Sequence, residues 1–204
     1  ENQVPASAES IYRLASISKM LTGVAVLQLV EAGKLDLATP IQSYVPGYPE
    51  KQAPITCDLL LKHQSGIRHY KGDLEVRSNR HYQRVRDSFD IFQDDPLLFD
   101  PGTRWHYSTS TDVVGRLVEA VSGEKLEDYF RAHIFVPLEM SDTSYNVPDT
   151  KGPRLVAQQQ RAGARMDGDI ELQDPQFGLT IARPIGGGGL ASTADDYGRF
   201  VRML

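Results

Sequence analysis

From Ser16 onward the apolar residues Met20, Leu21, Val24, Leu27 and Val30 keep close to a period of 3.6, the spacing of an amphipathic helix. Gly33 follows where a left-handed residue would stop that helix. With Ala25 added, the run is so apolar that burial on most sides is expected. A second helix is predicted where Thr111-Asp112 would cap a segment carrying Val113, Val114, Leu117, Val118 and Val121, closed by Ser122-Gly123. A third runs from Leu126 to His133 with Tyr129, Phe130 and Ile134 inward, before Pro137. A last helix starts at Ser192-Thr193 ahead of Asp195 and Asp196, with Tyr197, Phe200, Val201 and Leu204 on one face.

Shorter elements lie between these. Ile41 to Tyr44 reads as a short helix, and Thr56 as the N-cap of another over Cys57 to His63, ended by Ser65-Gly66. Lys71 to Arg86 is polar and reads as a surface loop or exposed helix. Ser88 to Phe92 reads as helical until Asp94-Asp95-Pro96 breaks it. The turn Pro101-Gly102 leads into Trp105-His106-Tyr107 as a short extended piece. Residues 141 to 153 form a loop. Ala164-Arg165-Met166 and Asp169 to Leu172 flank Asp167-Gly168, the signal of a hairpin with a two-residue turn.

The 204 residues, 40% hydrophobic and 24% charged, fit one globular domain or a large part of a bigger one. The net charge of −5 is spread among mixed signs, so no basic block points to nucleic acid. No apolar run reaches the roughly 20 residues of a membrane span. No signal peptide is visible, but residue 1 is Glu and the chain opens mid-pattern, so its start reads as cut or processed. A single Cys57 rules out an intrachain disulfide. It fits a reducing compartment and equally an exported enzyme without disulfides, so a bacterial cytoplasm or periplasm is the expected setting. The histidines at 63, 69, 81, 106 and 133 form no pair at helical ligand spacing with an acidic partner, and no metal site is predicted. The glycines from 186 to 189 lack the Gly-Lys-Ser/Thr ending of a phosphate loop and read as close backbone packing.

Candidate chemistry centres on Ser16-Ile17-Ser18-Lys19. Positions three apart share a helix face, which puts the Lys19 amine beside the Ser16 hydroxyl. A helix N-terminus favours negative charge, as a developing oxyanion requires. A desolvated lysine near other cations can act as a base. Tyr107, after a Pro-Gly turn and before a helix, offers a phenol that neighbouring positive charge would favour as phenolate. Taken singly, Ser16-x-x-Lys19 reads first as a capping serine before a surface lysine, and Tyr107 as a core tyrosine.

The ordered blocks change that balance. Ser16-Ile17-Ser18-Lys19-Met20-Leu21-Thr22, Leu60 to Ile67, Pro101-Gly102 with Tyr107-Ser108-Thr109 and Gly115, Ile134 to Met140, and Gly187 to Thr193 together resemble the serine beta-lactamase family. Within it the likeness is to class C beta-lactamases, DD-peptidases and family VIII esterases. Glu31 to Tyr70 also resembles a mitochondrial beta-lactamase-like serine protease branch. The resemblance implies Ser16 as acylated nucleophile, Lys19 as its basic partner and Tyr107 as proton shuttle. It gives the Ser16 N–H half of an oxyanion hole, Thr109, Gly188 and Gly189 to substrate binding, and His63, Ser65 and Gly66 to support. No cofactor or metal is implied.

The implied fold is α/β (α+β), beta-lactamase/transpeptidase-like, with an antiparallel sheet and a helical subdomain over roughly 36–150 of a single domain, 1–204. Two departures shape the expectation. The family's tyrosine motif ends in Asn where this chain has Thr109, which tilts the expected substrate from beta-lactams or peptides toward esters. The late Lys/His-x-Gly strand and two early strands have no counterpart in these residues, so the sheet is expected to be truncated at both ends. Loss of one oxyanion donor costs about 100- to 1000-fold in rate, and exposed apolar surface with self-association is expected. The reading is a serine hydrolase working on a small-molecule ester, beta-lactam or peptide. The alternative is a catalytically silent scaffold or self-assembling protein on the same fold.

Overall fold

The longest apolar run forms the central helix of a computed structural model that describes residues 5–69, 96–156, 159–161, 170–172 and 184–204. Helix α1 spans Ser18–Glu31 and is entered through a 3-10 turn at Ala15–Ile17. Gly33 follows it at φ +68°, a left-handed conformation that glycine adopts without a Cβ clash. Leu21, Ala25, Val26 and Leu29 face the core. Burial on most sides is only partly realised, because Met20 and Leu27, seven residues apart on one face, are 51% and 52% exposed.

Helix α2, Cys57–Leu61, has the expected cap: Thr56 Oγ1 accepts the Leu59 N–H at 3.3 Å. It ends earlier than predicted because His63 turns left-handed, at φ 55°. Helix α3, Ser110–Ser122, starts before the predicted Thr111-Asp112 cap, with Thr109 in the cap position. Thr109 Oγ1 donates to the Arg68 carbonyl, and Asp112, inside the first turn, accepts a bond from the chain beyond the helix. Val113, Val114, Leu117 and Val118 are buried as expected, and Gly123 closes the helix at φ +77°.

Helix α4, Leu126–Phe130, continues into a π-helical turn at Arg131–Phe135. It buries Leu126, Tyr129, Phe130, Ile134 and Phe135. Helix α5, Ala194–Met203, is capped by Thr193, whose hydroxyl accepts the Asp196 N–H at 3.1 Å. Phe200 is buried, but Val201 and Leu204 are 52% and 65% exposed, against expectation. Val201 lies one residue, roughly 100° of helix rotation, from Phe200, and Leu204 is past the helix end.

The named strands pair antiparallel. Strand β1, Tyr12–Arg13, pairs with β4, Ala191–Ser192, and Ser144 bridges Ala191. Strand β2, Gln159–Arg161, pairs with β3, Ile170–Leu172, placing Arg161 opposite Ile170. Ile170–Leu172, part of the second predicted strand, is therefore paired antiparallel, with Gln159–Arg161 as its described partner. Ala164 to Met166 and the Asp167-Gly168 turn lie outside the described residues, as do 71–86, 88–92 and 94–95. Trp105-His106-Tyr107 forms no strand. It is held by the His106 N–H on the His63 carbonyl at 2.9 Å.

The core gathers around α1 and joins Val114 and Leu117 of α3, Phe130 of α4, Tyr145 and Phe200 of α5. The glycine run reaches this core where α3 passes closest. A Cβ on Gly186 would lie 2.3 Å from the Thr111 carbonyl oxygen, and one on Gly115 2.8 Å from Gly186 N. Backbone cannot yield as a flexible side chain can. Gly186→Ala is expected to destabilise the protein by about 1–3 kcal/mol through overpacking, read as a lower midpoint in urea unfolding. An unchanged midpoint would contradict the close approach.

Candidate active site

Ser16 reaches solvent because the 3-10 turn lifts it out of the helix barrel. The residue before it, Ala15, has φ 45°. An L-residue held there stores roughly 1–3 kcal/mol of strain, a cost that clusters at functional sites. The turn is tied to the glycine loop by the Leu14 N–H on the Leu190 carbonyl at 2.8 Å.

Three predicted side chains converge. Tyr107 Oη donates to Ser16 Oγ at 2.7 Å, and Lys19 Nζ donates to the same oxygen at 3.2 Å. Lys19 also donates to the Gly187 carbonyl at 2.6 Å and sits 4.9 Å from the centroid of the Tyr107 ring, in cation–π range. Residues 91 positions apart are thus joined at one hydroxyl.

The loop after α2 brings up the support. The left-handed His63 puts its ring 4.7 Å from the Tyr107 ring, and the His69 ring stands 5.6 Å away, edge-on. His63 Nδ1 accepts the Ser108 N–H at 3.3 Å, which fixes the residue after Tyr107. Behind them runs a buried chain of hydroxyls: Ser65 Oγ meets Ser110 Oγ at 2.8 Å, which meets Ser108 Oγ at 2.6 Å. Sequence reasoning placed His63, Ser65 and Gly66 in support and did not single out His69, Ser108 or Ser110. Asp112 and Thr22 were missed as well. Thr22 Oγ1 donates to the Gly186 carbonyl at 2.7 Å, and Asp112 Oδ1 accepts the Gly187 N–H at 2.9 Å. A buried Ser-Thr-Asp start on an apolar helix was the available signal.

The other predicted residues stand differently. Thr109 is 5% exposed, with its hydroxyl given to Arg68. Gly188 lies against the turn that carries Ser16, where a Cβ would stand 3.5 Å from the Ala15 carbonyl oxygen. Gly189 adopts φ +98°, a conformation that favours glycine.

Burial, then the positive charge of Lys19, then His69 and His106 hold His63 below the ordinary imidazole range. Its neutral form is therefore favoured in the fold. As pH falls below about 6.5, the unfolded chain takes up this proton first, so stability drops. Protonation would also cost the Ser108 N–H its acceptor. The urea midpoint is expected to fall between pH 7 and pH 5, and to fall less in His63→Asn. An equal fall in both would remove His63 as a source.

The Beta-lactamase family model matches residues 1–204. The human mitochondrial serine beta-lactamase-like protein LACTB is 32% identical over 212 residues, which is 70% of this chain and 39% of that protein. Esterase EstB of Burkholderia gladioli is 29% identical over 234 residues, 98% of this chain and 58% of that protein. In three dimensions, a LovD6 mutant of simvastatin synthase from Aspergillus terreus superposes with a TM-score of 0.79 at 26% identity, over 98% of this chain and 52% of that one. The chain thus spans between 39% and 58% of these proteins. The helices packed with a small antiparallel sheet are the beta-lactamase/transpeptidase-like fold anticipated from the motifs. By motif order, fold and the match over 1–204, the chain belongs to the beta-lactamase family.

Proposed function

We propose that the protein is a serine hydrolase that acts on carboxylic esters through a covalent acyl-enzyme. The observation that carries this is the single hydroxyl of Ser16 bonded at once by Tyr107 at 2.7 Å and Lys19 at 3.2 Å. Ser16 Oγ attacks the ester carbonyl. The Lys19–Tyr107 pair, carrying one proton fewer than its fully protonated form, takes up the serine proton and returns it to the leaving alkoxide, which departs as the alcohol. Water then attacks the acyl carbon, with the same two groups moving its proton, and the carboxylic acid leaves as Ser16 is restored. The Ser16 N–H, at the start of the turn before α1, is one donor to the oxyanion. Gly188, packed against the turn that carries Ser16, and Gly189 after it are the glycines assigned to the substrate.

Esters are favoured over amides for two reasons. Thr109 spends its hydroxyl on Arg68 and offers no side-chain amide. Relatives named for their substrate include Esterase EstB and the lovastatin esterase of Penicillium rubens. Incubation with a fluorophosphonate or a penicillin-type probe, followed by intact mass, tests the reading. One adduct per chain supports it, and a folded sample that gains no mass would leave the silent scaffold as the better account.

A further inference from the structure

The glycine loop is held from more sides than close packing requires. Tyr145 Oη donates to the Ile185 carbonyl at 2.8 Å. Next along the chain, the peptide group between Gly186 and Gly187 is gripped at both ends. Its carbonyl oxygen accepts the Thr22 hydroxyl at 2.7 Å, and its N–H donates to Asp112 Oδ1 at 2.9 Å. A peptide group is a rigid plane, so two anchors on opposite edges fix its orientation. The following carbonyl, that of Gly187, is the one that takes the Lys19 amine at 2.6 Å. Gly187 lies between the two charges: a Cβ there would stand 2.3 Å from Asp112 Oδ1 and 3.5 Å from Lys19 Nζ.

We propose that Asp112 is a positioning residue for the reaction described above: its carboxylate locks the Gly186–Gly187 peptide so that the Gly187 carbonyl holds the Lys19 amine against Ser16. The proposal rests on the serine-hydrolase reading for its kinetic consequence, but not for its geometry. Asp112 is 4% exposed. A carboxylate is costly to bury, and an acid in the first turn of α3 could as well be explained by the helix dipole. The dipole accounts for a charge near that helix end. It does not account for a carboxylate oxygen on the N–H of a loop 75 residues away, one peptide from the lysine. Thr22 anchors the same peptide from α1, which is also the helix that carries Lys19. The two anchors therefore fix one plane, the Gly186–Gly187 peptide, from which the chain leads directly into the Gly187 carbonyl.

The test uses the whole 204-residue chain and measures fluorophosphonate labelling of Ser16 across probe concentrations. Misplacing a reacting group by about 1 Å costs on the order of 100-fold. Asp112→Ala is expected to lower the maximal labelling rate by roughly 10- to 100-fold, with the half-saturating probe concentration unchanged. Asp112→Asn keeps an oxygen that can accept the Gly187 N–H and should recover most of that loss. Thr22→Val should reproduce the rate defect from the other edge of the peptide, and it carries the test if Asp112→Ala fails to fold. A folded Asp112→Ala or Thr22→Val chain that labels at the wild-type rate would overturn the proposal. So would an Asn variant as slow as the Ala variant. Hydrogen exchange at the Gly187 amide separates this from the hydrolase reading. If the wild type does not label at all, that reading fails, whereas the anchor still predicts a Gly187 amide that exchanges faster in Asp112→Ala. Unchanged exchange there would overturn the anchor.

Discussion

Ser16→Ala is expected to abolish covalent labelling and to lower ester turnover by at least about 10³-fold, the scale on which loss of a nucleophile is felt. The substitution removes one oxygen from an exposed position, so the stability change should stay within about 0.5 kcal/mol. Two bonds end on that oxygen, from Tyr107 and from Lys19. Both donors retain other contacts when it is gone: Lys19 keeps the Gly187 carbonyl, and the Tyr107 ring keeps its contacts with His63 and His69. Loss of activity with an unchanged unfolding midpoint is therefore the expected pattern. Measured together, rate and urea midpoint check it. A variant with residual turnover near that of the parent would mean another group attacks.

Tyr107→Phe carries the second large effect. The change removes the phenolic oxygen and leaves the ring that packs at 4.7 Å from His63 and lies under the Lys19 amine at 4.9 Å. Proton transfer by a positioned side chain contributes about 10²- to 10⁴-fold, so acylation should slow on that scale. The lost hydrogen bond should cost only about 0.5–1.5 kcal/mol of stability. The ring contact keeps Lys19 near Ser16, which makes Tyr107→Phe a test of the oxygen alone. Single-turnover labelling rates for the variant and the parent give the ratio directly. A ratio near one would assign proton transfer to Lys19 without Tyr107.

Local signals in the sequence foretold much of this arrangement. The serine-lysine spacing put two of the groups side by side because positions three apart meet across one turn, here the 3-10 turn leading into α1. The cap at Thr56, the stop at Gly33 and the inward valines of α3 follow from one-turn chemistry and appear as expected. What was harder to read depends on contacts between distant segments. Asp112 looked like a cap because acids begin helices, but its oxygen serves a loop 75 residues on. The motif places Thr109 at the substrate, and the bond from its hydroxyl to the Arg68 carbonyl is one that no local pattern announces. Leu27 and Val201 belong to apolar patterns yet stand half exposed, since periodicity tells which residues share a face and not whether anything covers it. His69 gave no sign because its relation to Tyr107 arises only when the segment after α2 folds back beside α3.

The strained turn at Ala15 ties these points together. Its positive φ places Ser16 where the chain before α1, the Tyr107 segment and the glycine loop meet. The site is assembled from three stretches of sequence, and a fault in any of them should appear first as a slower reaction at Ser16.

The central claim is that Ser16 Oγ is the atom that becomes covalently bound. Peptide mass mapping of the folded protein after fluorophosphonate treatment reads this most directly. The account predicts the adduct on the peptide containing Ser16, with fragment ions placing it on that residue and not on Ser18. An adduct on Ser18, Ser108 or another side chain, or none on a folded sample, would contradict it.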